Sequence, residues 1–149
     1  MKIVIQRVSH ASVSIASETV SSIGPGMLVL VGVADDDTTE DMKYLAAKTA
    51  ALRIFDDKAG VMNLSVTDIG GEILAVSQFT LLASTRKGNR PSYIHAAREP
   101  LSIDLYEAYC IETGRLTGTE VKKGVFGADM QVSLVNDGPV TIVIDSKNR

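Results

Sequence analysis

The first third of the chain distributes its apolar residues as β-strands do. Residues 3–15 alternate apolar with polar positions and predict two strand-like pieces on either side of Ser9-His10. Residues 27–33 form a continuous apolar run, which predicts a central strand with both faces covered. Glycine and proline at positions 24–26 predict the turn that precedes this strand.

Two later segments have the spacing of amphipathic helices. Asp37 with Glu40 three residues on is the arrangement of a capping box and predicts a helix start. A second helix is predicted to begin near Pro100 and to end at Gly114, where glycine suits the left-handed C-terminal position. The face that the first helix is expected to bury carries Met42, Leu45, Thr49 and Leu52.

The remaining apolar segments predict further strands. Residues 72–82 form one long candidate, and residues 130–134 and 140–144 form two more, separated by a tight turn at 136–139. Because strands outnumber helices, we predict an α+β fold with a mostly antiparallel, barrel-like sheet and two or three helices. A chain of 149 residues is expected to form one domain, residues 1–149, since two cores would each be too small.

The composition of the chain limits the cellular compartment and the cofactors that we expect. The one cysteine, Cys110, cannot form an intramolecular disulfide and is expected in the core, and no apolar run approaches the roughly 20 residues that span a bilayer. We therefore expect a cytoplasmic protein without a membrane partner. One cysteine and two histidines leave little material for a transition-metal site, so no metal and no cofactor are predicted. The four-residue spacing of His95 and Glu99 is interpreted as a surface pair on a helix.

The charge is acidic overall but has one basic segment. Fifteen Lys and Arg against 18 Asp and Glu give a net charge of −3, which argues against a DNA partner. Residues 73–98, however, contain no acidic residue. Arginine and lysine side chains beside a glycine are suited to phosphate binding. The alternative interpretation is a charged surface that is merely exposed to solvent. The cations of this segment are Arg86, Lys87, Arg90 and Arg98.

Polar residues interrupt the long candidate strand. Ser77, Gln78 and Thr80 stand where a buried strand presents apolar side chains. An unpaired buried amide costs about 1–3 kcal/mol, so these groups are expected either to pair within the sheet or to line a pocket.

The Gly138-Pro139 pair is a second unusual position. The missing Cβ of Gly138 allows another backbone or a ligand to approach closely, and Pro139 suits a turn or an edge because it donates no hydrogen bond. A simple hairpin turn is the alternative interpretation.

Six short segments match a known pattern in order along the chain: Gln6-Arg7-Val8, Leu52-Arg53-Ile54-Phe55, Ser77-Gln78-Phe79-Thr80, Lys87-Gly88-Asn89-Arg90-Pro91-Ser92, Phe126-Gly127-Ala128-Asp129-Met130 and Asn136-Asp137-Gly138-Pro139-Val140-Thr141. Together they resemble the D-aminoacyl-tRNA deacylase family of bacteria and eukaryotes, essentially from end to end. The departures are small, with Tyr93 where phenylalanine is common and a varied stretch at residues 82–84.

The resemblance implies a homodimer that hydrolyses the ester between a D-amino acid and the 3′-terminal ribose of tRNA, and that also clears mischarged glycine. It implies that the Gly138-Pro139 turn, with a cis peptide, enters the pocket of the other subunit and rejects L-aminoacyl-tRNA. The residues that it assigns to catalysis are Ser77, Gln78, Phe79 and Thr80. The residues that it places around the pocket and the tRNA end are Gln6, Arg7, Arg86, Lys87, Arg90, Phe126, Ala128, Met130 and Asn136.

The mechanism has two interpretations. Thr80 as a nucleophile would need an adjacent base, and no motif places a histidine or lysine beside it. We favour backbone N–H groups near Phe79 and Thr80 that stabilise the oxyanion, with water or the ribose 2′-hydroxyl completing the reaction. The alternative functions are a non-catalytic module that binds aminoacyl ends or D-amino acids, and a metal-dependent hydrolase of D-amino-acid esters.

Overall fold

One long strand, β1 (Lys2–Ile15), organises the sheet in the computed structural model, which describes residues 1–149. One edge of β1 pairs antiparallel with β3 (Gly26–Gly32) and then with β2 (Glu18–Ile23). The other edge pairs antiparallel with β8 (Gln131–Asp145) along most of its length. β1 is therefore the central strand on which the other strands assemble.

The sheet continues beyond β3 with two parallel strands. β6 (Glu72–Ser77) pairs with β3, and the short β7 (Lys122–Lys123) pairs with β6. A separate two-stranded ribbon is formed by β4 (Phe55–Asp56) and β5 (Met62–Leu64). The six-stranded sheet is barrel-like and mostly antiparallel.

Two helices complete the fold, α1 (Thr39–Ala51) and α2 (Leu101–Thr117), which pack against each other. The α+β prediction is thereby confirmed. Neither helix is long and apolar enough to cross a membrane. Cys110 is buried within α2, as its place beside Tyr109 in a helical pattern predicted.

The core has two layers because β3 and β6 are buried on both faces, as the continuous apolar run of β3 predicted. Alternate residues such as Val29 and Ala75 contact the larger cluster, which includes the inner faces of α1 and α2. Their neighbours Leu28 and Leu74 contact a smaller cluster on the opposite face, where the first half of β8 packs.

The predicted breaks in the first and last strands are wrong. β1 is one strand rather than two pieces, and residues 136–139 are not a hairpin turn between two strands. Both halves of β8 pair with β1 in the same direction. Gln6 pairs with Thr141 and Val8 with Asn136, so residues 137–140 of β8 protrude as a large bulge opposite Arg7.

The predicted helix ends are also shifted. The capping box of α1 uses Thr38 and Asp41 rather than Asp37 and Glu40, because the buried Asp37 carboxylate instead binds the Met1 amino group.

The second helix runs further than predicted. Gly114 lies inside α2, which continues to Thr117 and ends where Gly118 adopts the left-handed conformation at φ 69°. His95 and Glu99 precede this helix, so their interpretation as a pair on a helix is wrong.

Candidate functional site

The site begins where β6 leaves the sheet. The strand predicted for residues 72–82 ends at Ser77, and residues Phe79–Leu82 form a short 3-10 helix instead. The last sheet hydrogen bond runs from the Gln78 N–H to the Val31 carbonyl at 2.7 Å. A Cβ at Gly32 would lie 2.6 Å from the Leu82 side chain, so glycine in β3 lets the 3-10 helix pack closely against it.

A cavity of about 320 Å³ opens beside this strand end. Its walls come from β3, the end of β6, the first half of α2 and the segment that leads into β8. Ten of its 15 lining residues are hydrophobic, so a ligand would find an apolar slot with a few polar groups. The lining residues that the sequence had singled out are Ser77, Gln78, Phe79, Phe126, Ala128 and Met130.

Backbone N–H groups are available next to this cavity. The first hydrogen bond of the 3-10 helix runs from the Leu81 N–H to the Gln78 carbonyl at 3.2 Å. The N–H groups of Phe79 and Thr80 precede that bond, where helical amides have no partner within the helix. The Thr80 hydroxyl accepts a hydrogen bond from the Gln78 side-chain amide, so it is held rather than free to rotate.

Tyr106 is a cavity residue that sequence reasoning missed. Its hydroxyl donates to the Ala75 carbonyl at 3.0 Å, and its ring lies 5.8 Å from that of Phe126. Burial raises the pKa of Tyr106 far above its usual value, so it stays a neutral donor that fixes β6 just before Ser77. Two polar lining residues, Ser102 and Asp129, were also not assigned to the site from the sequence.

The bulge of β8 carries the Gly138-Pro139 turn, whose peptide bond is cis. This turn is exposed and contributes nothing to the wall of the cavity in its own chain. Gly138 has a φ of 133°, and a Cβ there would lie 2.9 Å from Arg7 Nη2. Backbone conformation and space therefore both favour glycine at this position.

Arg7 lies beneath the turn rather than on the surface. Arg7 is only 8% exposed, and its guanidinium donates to the carbonyls of Asp137 at 2.9 Å and Ile54 at 2.8 Å. This placement favours a role in holding the turn over direct contact with phosphate.

Asn136 and Gln6 brace the same bulge. The Asn136 amide donates to the Thr141 hydroxyl at 3.0 Å, and its oxygen accepts the Val140 N–H at 3.0 Å. The Gln6 amide also donates to Thr141, at 3.2 Å. Gln6, Arg7 and Asn136 thus surround the turn and lie outside the cavity wall.

The basic segment forms a closed loop, residues 85–91, which we call the basic loop. Ser84 and Ser92 close it with reciprocal backbone hydrogen bonds of 2.8 and 2.9 Å. Its cations Arg86, Lys87 and Arg90 are exposed and take part in no ion pair. The positive charge of the loop is therefore uncompensated, which suits an anionic ligand.

No group of three His, Cys, Asp or Glu side chains is arranged to hold a metal ion. The expected independence from metals and cofactors stays a prediction.

Comparison with known proteins places this geometry in a family. The family profile described as D-Tyr-tRNA(Tyr) deacylase matches residues 4–145. A D-aminoacyl-tRNA deacylase of Bacteroides thetaiotaomicron is 58% identical over 149 residues, covering 100% of this chain and 99% of that one. A D-aminoacyl-tRNA deacylase of Porphyromonas gingivalis is 60% identical with the same coverage.

Two solved structures share the fold. The c-Myc DNA unwinding element binding protein superposes with a TM-score of 0.91 at 39% identity, over 97% of this chain and 98% of that one. A probable eukaryotic D-amino acid tRNA deacylase superposes with a TM-score of 0.82 at 16% identity, over 96% of this chain and 97% of that one, which shows the fold alone. On the strength of the profile match and the full-length relatives, this chain belongs to the D-Tyr-tRNA(Tyr) deacylase family.

Proposed function

We propose that this protein is a homodimeric deacylase that hydrolyses the ester of D-aminoacyl-tRNA and releases the free D-amino acid and tRNA. Family membership supports the reaction. The observation that carries the assignment to a site is the cavity at the end of β6, which Ser77, Gln78 and Phe79 line just before the first hydrogen bond of the 3-10 helix. We expect the protein to be located in the cytoplasm, where aminoacyl-tRNA is used.

The cavity suits the 3′-terminal nucleoside of tRNA. Its apolar walls and the rings of Phe126 and Tyr106 offer stacking surfaces to a base, while Ser102 and Asp129 offer hydrogen bonds to a base edge. A nucleoside held there brings its ribose, and with it the ester, toward the end of β6.

The chemistry we propose uses the backbone. The N–H groups of Phe79 and Thr80 would donate to the oxyanion that forms when the ester carbonyl is attacked. Water attacks the ester carbonyl, and the ribose 3′-oxygen leaves and takes up a proton. In the alternative, the neighbouring 2′-hydroxyl attacks first and moves the acyl group to the 2′-oxygen, from which water then releases the amino acid. This role explains a site without a nucleophile–base pair.

The discrimination between D- and L-esters is proposed to come from a second copy of the chain. The Gly138-Pro139 turn protrudes from β8 and lies outside the cavity of its own subunit, which supports insertion into the other subunit. A wall of backbone atoms would collide with an L side chain and leave a D side chain pointing outward. Glycine has no side chain to collide, so glycyl-tRNA is expected to be cleaved as well.

The edge of β8 supports the dimer. β8 pairs only with β1, so its outer edge has unpaired backbone groups. Val135 and Val143 on this strand are 47% and 67% exposed. A second copy would cover these groups and complete the site.

The basic loop is proposed to hold phosphates near the acceptor end. Arg86, Lys87 and Arg90 supply the cations, and such a small number of contacts is compatible with a net charge of −3. We expect no DNA partner for the same reason.

The decisive experiment compares D-Tyr-tRNA and L-Tyr-tRNA with the purified protein in EDTA. We expect rapid hydrolysis of the D-ester, survival of the L-ester and no inhibition by excess duplex DNA. Survival of both esters would favour the non-catalytic binding module, and restoration by added divalent metal would favour the metal-dependent hydrolase. Hydrolysis of both esters would support the deacylase activity but contradict the proposed rejection of L-esters by the Gly138-Pro139 turn.

A further inference from the structure

Two exposed aromatic rings lie at the mouth of the site. Phe79, which lines the cavity, is 56% exposed, and Tyr93 is 39% exposed. Their ring centroids are 5.0 Å apart with an interplanar angle of 70°, an edge-to-face arrangement. Because each ring supports the other, the pair presents a fixed aromatic surface to solvent.

This aromatic pair, Phe79 and Tyr93, connects two features already described. Phe79 belongs to the wall of the cavity, and Tyr93 directly follows Ser92, which closes the basic loop against Ser84. The pair therefore joins the wall of the cavity to the end of the basic loop. The whole segment, residues 73–98, has no acidic residue that would repel a polyanion.

We propose that the aromatic pair stacks an unpaired nucleotide that precedes the terminal nucleoside of the tRNA, with Tyr93 as the exposed stacking face. This inference rests on the proposed function, which places the terminal nucleoside in the cavity. Single-stranded nucleic acid is commonly held by aromatic faces beside a positively charged groove, and the arrangement here has both parts. Such stacking reads no sequence, which suits an enzyme that must act on many tRNAs.

A second copy of the chain is the competing occupant of this surface. Charge decides against it, since Arg86, Lys87, Arg90 and the nearby Arg98 have no ion-pair partner within the chain. A second copy that packed its own basic loop against this one would bring like charges together, whereas phosphates would neutralise them. The partner's Gly138-Pro139 turn is proposed for the cavity and not for this surface.

The test compares two D-tyrosyl esters, that of full-length tRNA and that of adenosine alone. The adenosine ester reaches the cavity but has no preceding nucleotide, so only the tRNA ester gains from stacking. For Tyr93→Leu, which keeps an apolar contact with Phe79 but loses the aromatic face, we expect the ratio of kcat/KM for tRNA to kcat/KM for adenosine ester to fall about 5- to 100-fold. Tyr93→Phe should keep the ratio, and Tyr44→Leu serves as a matched control on α1.

The outcomes separate the possibilities. A fall of both esters by the same factor would show that Tyr93 acts only on the cavity and would overturn the proposal. Loss of the dimer by light scattering with an unchanged ratio would assign the surface to a second copy and also overturn it. If the wild-type protein cleaves neither ester, the proposed function itself fails, before any variant is compared.

Discussion

Thr80 offers two groups to the reaction, its hydroxyl and its backbone N–H. The hydroxyl accepts a hydrogen bond from the Gln78 side-chain amide, and the N–H lies at the start of the 3-10 helix. If the backbone N–H groups stabilise the oxyanion, Thr80→Ala should retain turnover within about tenfold of wild type, because only a supporting hydrogen bond is lost. Single-turnover hydrolysis of D-Tyr-tRNA measures this, with Thr80→Ser as the control that keeps a hydroxyl. A loss beyond roughly 10³-fold for alanine, rescued by serine, would instead identify a nucleophile.

Individual site residues could be recognised in the sequence only where they break a pattern. Ser77 and Gln78 interrupt an apolar strand, and the structure lines a cavity with both. Tyr106 continues the helical face of α2 as any core aromatic would, so nothing local indicates that its hydroxyl fixes β6. Arg7 was assigned to the pocket or the tRNA end by resemblance alone, and its place under the turn depends on Ile54 and Asp137, which are distant along the chain.

The first turn of α1 gives a prediction on stability. Asp41 accepts hydrogen bonds from the Thr38 N–H at 2.9 Å and from Lys147 at 3.1 Å. Burial alone would raise the pKa of Asp41, but hydrogen bonds from Ser146, Thr38 and Lys147 together hold it well below its usual range. A carboxylate with a depressed pKa in the folded state stabilises the protein above pH ~4, and this stabilisation is lost as the pH falls.

Asp41→Asn should therefore lower the free energy of unfolding by about 1–2 kcal/mol at pH 7, and the difference from wild type should shrink toward pH 3. Urea denaturation at the two pH values measures this. Glu40→Gln, which removes a charge from the same turn but from an exposed side chain, is the matched control. An equal difference at both pH values would contradict the assignment.

The errors in the predicted elements share one physical cause. Asn136-Asp137-Gly138-Pro139 has a composition that suits both a hairpin turn and a bulge within one strand. The two are distinguished only by the pairing of both halves of β8 with β1, which the local sequence does not indicate. The end of β6 was misjudged similarly, because the apolar residues Leu81 and Leu82 continue a strand pattern locally while their packing against Gly32 favours a 3-10 helix. Long-range contacts overrode local pattern in both cases.

For the molecule as a whole, the balance of strands and helices was enough to predict the α+β class, since layers follow from alternation and helical spacing. The strands β4, β5 and β7 escaped prediction because two or three residues are too few to show a period. β2 is longer but mostly polar and exposed, so it has no apolar alternation. The homodimer was predicted from the family resemblance alone, because no local sequence pattern indicates a dimer surface.

The proposed exchange of turns between subunits can be tested by mixing two inactive variants. Ala128→Trp is expected to fill the cavity, and Gly138→Ala to distort the turn, since φ 133° and the close Arg7 both oppose a Cβ. In the mixed dimer, one site combines an intact cavity with an intact turn. Unfolding and re-associating equal amounts should restore about a quarter of wild-type activity on D-Tyr-tRNA, since half the dimers are mixed and each has one good site.

Gly60→Ala is the control for the turn variant, because Gly60 also has a positive φ, 76°, but nothing lies within 4 Å of its Cβ position. If the turn serves the cavity of its own chain, the mixture stays inactive, as both sites of the mixed dimer then hold a defect.

The bulge in β8 has a consequence for how such an enzyme can change over time. Val132, near the start of this strand, and Met130, just before it, line the cavity, and the turn carried by the bulge is proposed to enter the site of the partner subunit. In the proposed dimer, each subunit would therefore contribute to both active sites through one continuous strand. A substitution that shifts β8 would then disturb the cavity of its own subunit and the turn in its partner's site together, so that editing would be lost at both sites at once.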